Sequence, residues 1–160
     1  MRRSITDASA LMLGQWFFTG RAPVAPGTVG SLGTLPLFWL CRPLPTLAYW
    51  LVTGVIVLGG IAIGTRCATL LNDDDPPSVV IDEVAGVMIA LGWVAQGPLW
   101  QWLLAWILFR ILDIKKPWFI HDVQNLSPPG LGIMADDVLA GLVAGATTLS
   151  LAMLGQHLGL

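Results

Sequence analysis

Between Arg42 and Arg66 the chain carries no charged residue. Inside that interval residues 47–64 form an apolar run long enough for a helix to cross the hydrocarbon core of a bilayer. In lipid every backbone polar group must be satisfied within the protein, so a chain built around such a run folds as helices. The composition extends the argument to the whole chain: 55% of the 160 residues are hydrophobic and 11% are charged, with a mean hydropathy of +0.74, far more apolar than an ordinary soluble domain. Polar chemistry is therefore confined to helix ends and short connections. The net charge of −2 offers no footprint for nucleic acid.

Read in order, the chain predicts a short helix at the membrane surface over Ala8–Phe18, with Trp16, Phe17 and Phe18 at the headgroup level. Gly20–Ser31 is so rich in proline and glycine that it reads as a shaped loop. Crossings are expected at Leu32–Leu40 (tilted or partly inserted), Leu47–Gly64, Val84–Ala95, Leu99–Leu112 and Val138–Leu154. The pair Gly60 and Gly64 would let another helix approach closely. The expected fold is thus all-α, an integral membrane helical bundle of four to five short transmembrane segments. Residues 1–160 form one domain, with 1–19 as an N-terminal interfacial segment and no removable signal peptide.

Alternating crossings put the connections Gly20–Ser31, Arg66–Glu83 and Arg110–Asp137 on one side, with every carboxylate and all cations but Arg42. By the positive-inside rule that side faces the cytoplasm. Cys41 and Cys67 lack both Cys-x-x-Cys spacing and the loop of a cysteine-dependent phosphatase, and read as small apolar fillers.

Asp82 and Glu83 follow three apolar residues, which places them in the first turn of a membrane-embedded helix. Acids there are costly and point to function. Asp82, Gly86 and Ala90 recur every four residues, as do Asp137, Gly141 and Gly145, so each acid shares a stripe with small residues that mark a packed face. Glu83 and Asp136 lie about a quarter-turn aside, to share a ligand or cap their helices. Arg110, Asp113 and Lys116 sit three apart and face one way before Pro117 ends the helix. Interior acids repel one another unless protonated or bound to a cation, and all-oxygen ligation with few histidines favours Mg²⁺ over Zn²⁺. A magnesium site beside Arg110 and Lys116 reads as phosphate chemistry. The turn Pro26–Ser31 adds N–H groups and the hydroxyls of Thr28 and Ser31 that suit an anion.

Four motifs occur in order: Ala-Pro-Gly-Thr-Val-Gly-Ser at 25–31, Ile-Asp-Glu-Val-Ala-Gly at 81–86, Phe-Arg-Ile-Leu-Asp-Ile-Lys-Lys-Pro-Trp at 109–118 and Gly-Leu-Gly-Ile-Met-Ala-Asp-Asp-Val-Leu-Ala-Gly at 130–141. Together they resemble the phosphatidylglycerophosphatase A family of bacterial membrane lipid phosphatases. The resemblance implies Mg²⁺-dependent hydrolysis of the terminal phosphate of phosphatidylglycerophosphate, a phospholipid substrate in the bilayer, at the bacterial inner membrane. It maps the family's acidic positions onto Asp82, Glu83, Asp113, Asp136 and Asp137 as metal ligands, with Asp82, Glu83, Asp113 and Asp137 catalytic. Its basic positions fall on Arg110 and Lys116, which with Thr28 and Ser31 would hold the phosphate. The chain departs from the family at Phe119, His121, Gln124 and Pro128–Pro129, where headgroup contacts are expected.

A competing reading is a small cation transporter or channel whose interior acids bind the translocated ion. Against it, the acids gather on one side with basic partners, and there is no internal repeat.

Overall fold

The computed structural model describes residues 4–117 and 126–159, and these contain helices and no strand. In chain order the elements are α1 (Ile5–Gly14), a 3₁₀ turn (Thr19–Arg21), α2 (Pro26–Gly33), α3 (Leu35–Cys41), α4 (Thr46–Leu71), α5 (Ile81–Gly92), α6 (Leu99–Lys115) and α7 (Pro129–His157). Trp118–Asn125, which include Phe119, His121 and Gln124, lie outside the described residues.

The apolar runs become helices, with boundaries that tertiary contacts move. The helix expected over Ala8–Phe18 is a correction: α1 stops at Gly14, and Trp16, Phe17 and Phe18 all take left-handed backbone with φ of 43°, 53° and 69°. Trp16 turns toward α2, its indole N–H donating to the Gly33 carbonyl at 2.9 Å. Gly20–Ser31 is also corrected, since Pro26–Ser31 is helical. Proline at the first helical position loses no hydrogen bond there and brings a φ already suited to the helix. Helix α7 begins nine residues before the expected Val138, at Pro129, so Asp136 and Asp137 lie inside it.

Among the described residues two helices, α4 and α7, are long and apolar enough, by length and composition, to cross a membrane. Helix α4 exposes Leu47, Leu51, Val55 and Leu58 on one face, and α6 exposes Leu99, Leu103, Ile107, Ile111 and Ile114 at helical spacing. Continuous stripes of large apolar side chains on the outside are what lipid contact requires and water penalises.

Helix α5 is the axis of the bundle. Every residue from Val84 to Leu91 is buried, under α4, α6, α7 and α2. Its 12 residues make it about 18 Å long, which places its first turn and its last at opposite ends of the bundle interior. Small residues set the approach of its neighbours. A Cβ on Gly141 would lie 2.5 Å from the Gly86 carbonyl oxygen, and one on Gly145 would strike the Trp93 ring and lie 2.9 Å from the Ala90 oxygen. The stripes of acids and glycines therefore do face each other across α5 and α7. Gly60 and Gly64 receive α7 in the same way, against Met134 and the Gly130 backbone. Cys41 and Cys67 are buried and free.

Candidate active site

The first turn of α5 carries Asp82 and Glu83, and no side chain caps that turn. What holds it is the N-terminal segment. The Val80 N–H donates to the Gly14 carbonyl at 2.8 Å, and Gln15 links the two parts, accepting from Arg21 Nε at 2.7 Å and donating to Ser78 Oγ at 3.3 Å. Gln15 and Ser78 carry no chemical signature in the sequence. Only the fold shows that they position the acids.

Asp137 arrives from α7 across the Gly86–Gly141 contact. Oxygen atoms of Asp82, Glu83 and Asp137 lie within 4.8 Å of one another. Asp82 Oδ1, Glu83 Oε2 and Asp137 Oδ2 are buried without a hydrogen-bond partner. Carboxylates this close repel by about 3 kcal/mol per pair even at an effective dielectric of 20, and each orphaned oxygen adds its own desolvation cost. Such a group is tolerable only when protonated or with positive charge among its oxygens. Three carboxylates with no sulfur or nitrogen donor suit a hard divalent ion.

Asp113 and Asp136 stand outside that group, each engaged by a cation. Arg110 Nη1 pairs with Asp113 and lies 3.9 Å from Glu83 Oε1, while Arg110 Nη2 donates to Thr28 Oγ1 at 3.3 Å. Its Nε is buried without a partner. Lys116, in left-handed backbone at the end of α6, donates from Nζ to Asp136 Oδ2 at 2.6 Å. Burial disfavours the Lys116 ammonium. The hydrogen bond and charge of Asp136, with Asp75 and Asp137 beyond, outweigh that and hold its pKa above the ordinary lysine value. Lys116 is thus a cation at neutral pH.

Asp82, Glu83, Asp113, Asp137, Arg110 and Lys116 line a cleft of about 460 Å³ between the first turn of α2, residues 75–79, the start of α5 and the end of α6, while Asp136 faces an adjoining hollow. Residues of the three connections assigned to one side, Gly20–Ser31, Arg66–Glu83 and Arg110–Asp137, thus meet at one cleft. Thr28 lines the cleft. Ser31 does not: it is fully buried and its hydroxyl donates to the Thr28 carbonyl at 2.9 Å inside α2. Asp75 also lines the cleft, from the polar loop after α4, and nothing in the sequence distinguished it from Asp73 and Asp74.

Gly27 lets α2 reach the site. A Cβ there would collide with the Glu83 carboxylate and lie 3.2 Å from Arg110 Nη2. Gly27→Ala is expected to lower whatever turnover this site supports by about 100-fold, the scale of a 1 Å displacement of aligned groups, with little change in thermal unfolding. Steady-state kinetics beside a melting curve checks both halves.

The family model described as Phosphatidylglycerophosphatase A matches residues 12–152. Phosphatidylglycerophosphatase A of Escherichia coli (strain K12) is 35% identical over 151 residues, covering 91% of this chain and 83% of that protein. Phosphatidylglycerophosphatase A of Haemophilus influenzae is 36% identical over 135 residues, with 83% and 82% covered. A Bacteroides thetaiotaomicron protein named "Putative phosphatidylinositol-3-phosphatase" is 38% identical over 140 residues, with 82% and 86% covered. No solved structure matches. None of these matches points to ion transport.

Proposed function

The chain belongs to the phosphatidylglycerophosphatase A family, and from that premise we propose that it removes the terminal phosphate of phosphatidylglycerophosphate, leaving phosphatidylglycerol and inorganic phosphate. The observation that carries the chemistry is the trio Asp82, Glu83 and Asp137, each with an oxygen left unpartnered beside Arg110. These residues fit Mg²⁺, which when bound would polarise the phosphoryl oxygens and make a water nucleophilic near neutral pH. Arg110 offers the donors left over from Asp113 and Thr28 to the phosphoryl group, where charge grows as the ester bond breaks. Lys116 supplies a second positive charge.

Asp113 and Asp136 act one step back, aiming Arg110 and Lys116. Whichever acid of the trio is not fully engaged accepts a proton from the attacking water. No residue of the cleft has to form a covalent intermediate.

In the same reading α5 and α6 complete the crossings begun by α4 and α7, with α2–α3 partly inserted. The protein is then multi-pass in the bacterial inner membrane. Arg21, Arg66, Arg110, Lys115 and Lys116 lie toward the carboxylate end and Arg42 toward the other, which supports a cytoplasmic site. The acyl chains stay in lipid beside the exposed stripes of α4 and α6 while the headgroup enters the cleft.

The test is phosphate release by purified protein from phosphatidylglycerophosphate, phosphatidylinositol 3-phosphate and phosphatidic acid, in EDTA and after Mg²⁺ is restored. Turnover should stop in EDTA, return with Mg²⁺ and be fastest on phosphatidylglycerophosphate. Undiminished turnover in EDTA overturns the metal assignment, and equal or faster turnover on another lipid overturns the substrate.

A further inference from the structure

A second cavity, of about 760 Å³, lies at the other end of the bundle, where α4 begins and α5 ends. It shares no lining residue with the catalytic cleft. Arg42 stands at its edge and also lines an adjoining hollow of about 270 Å³.

Arg42 is held in place before any ligand arrives. Its Nε donates to the Ala95 carbonyl at 2.9 Å, and its guanidinium lies 4.5 Å from the Trp102 ring centre and 5.2 Å from that of Trp39. Gln96 locks the backbone by donating to the Arg42 carbonyl at 3.0 Å. The two terminal nitrogens of Arg42 have no hydrogen bond or ion pair among the described residues. Gln101, only 7% exposed, lines the same cavity, and its carboxamide has no hydrogen bond among the described residues. Its amide opens to the cavity and is free to bond a polar group there. Apart from Thr46 and Gln96 the remaining wall is largely apolar and aromatic, with Trp50, Trp93 and Leu149.

We propose that this cavity binds a glycerophospholipid of the leaflet opposite the catalytic site, with its phosphate on Arg42, an ester carbonyl on the Gln101 amide and the start of one acyl chain along Trp50, Trp93 and Leu149. Free phosphate would satisfy the arginine and leave the apolar wall unused. A hydrocarbon chain alone would leave the guanidinium unpaired. A phospholipid meets all three, because a guanidinium forms paired charge-assisted bonds to phosphate and tryptophan favours the boundary between headgroup and chain. The inference needs the bundle to lie in a bilayer and is independent of the catalytic reading.

Native mass spectrometry of the full chain released from detergent, with phosphatidylglycerol, dioleoylglycerol or inorganic phosphate added, tests it. One phosphatidylglycerol should be retained, with neither dioleoylglycerol nor phosphate matching it. Arg42→Gln should lower the occupancy of that lipid about tenfold, the effect of losing one charge-assisted contact. Leu149→Trp, which fills the cavity and leaves Arg42 intact, should lower it as well. Both variants should still release phosphate from phosphatidylglycerophosphate, which separates failure here from failure of the catalytic reading. Unchanged retention in Leu149→Trp, or dioleoylglycerol held as well as phosphatidylglycerol, overturns the proposal whether or not Arg42→Gln folds.

Discussion

Asp137→Asn is expected to lower phosphate release by about a thousandfold or more, the scale seen when a group that stabilises transition-state charge is removed, while the bundle remains assembled. Asparagine keeps the shape of the side chain and removes its charge. Asp137 is 2% exposed, and its Oδ2 has no other partner to which the loss could be assigned. Stability should move the other way in EDTA. Removing one of the three acids removes two repelling pairs, each about 3 kcal/mol where both are ionised, so the melting temperature of the variant should equal or exceed that of the parent. Asp82→Asn should behave alike. Asp113→Asn acts through Arg110 and should cost less activity. Near-normal turnover in both Asp82→Asn and Asp137→Asn would remove the trio from the mechanism, and a collapse of the fold would mean that the acids hold the helices together.

Gly86→Val should instead cost stability and activity together. A Cβ at residue 86 would run into the Phe109 ring and lie 2.9 Å from the Asp137 carbonyl oxygen, with Gly141 already close against the same backbone. Neither a buried ring nor a helix backbone can yield without moving α5, α6 or α7. Overpacking of this kind costs about 3 kcal/mol, and separating α5 from α7 parts Asp82 from Asp137. Gly54→Val is the control, because nothing lies within 4 Å of a Cβ there. Thermal unfolding in detergent and phosphate release should both collapse for Gly86→Val and stay near the parent for Gly54→Val. A stable but inactive Gly86→Val would show that the contact tunes the site without holding the fold.

Much of this arrangement was legible in the chain because long apolar helices obey few rules. The run without charge between Arg42 and Arg66 predicts α4, and the four-residue spacing of Asp82, Gly86 and Ala90 against that of Asp137, Gly141 and Gly145 predicts which faces meet. The boundaries were less legible. Proline and glycine at 26–30 look like a loop by composition, yet proline at a helix start is harmless and glycine is what lets α2 lie against Glu83 and Val80. Trp16–Phe18 look like an interfacial anchor, yet the chain must reverse there to bring Gly14 and Gln15 beneath the start of α5.

The sequence by itself determined the apolar character and helical class and singled out the charged residues offered as candidates for phosphate chemistry, because hydropathy and charge spacing act locally along the chain. Only the tertiary structure decided how the acids divide. Asp82, Glu83 and Asp137 meet as a trio, Asp113 and Asp136 pair with Arg110 and Lys116, and Ser31 turns away into α2. That division depends on how closely α5 and α7 approach and on where each cation ends. Those distances are set by contacts between residues far apart in the chain, which periodicity along one helix cannot encode.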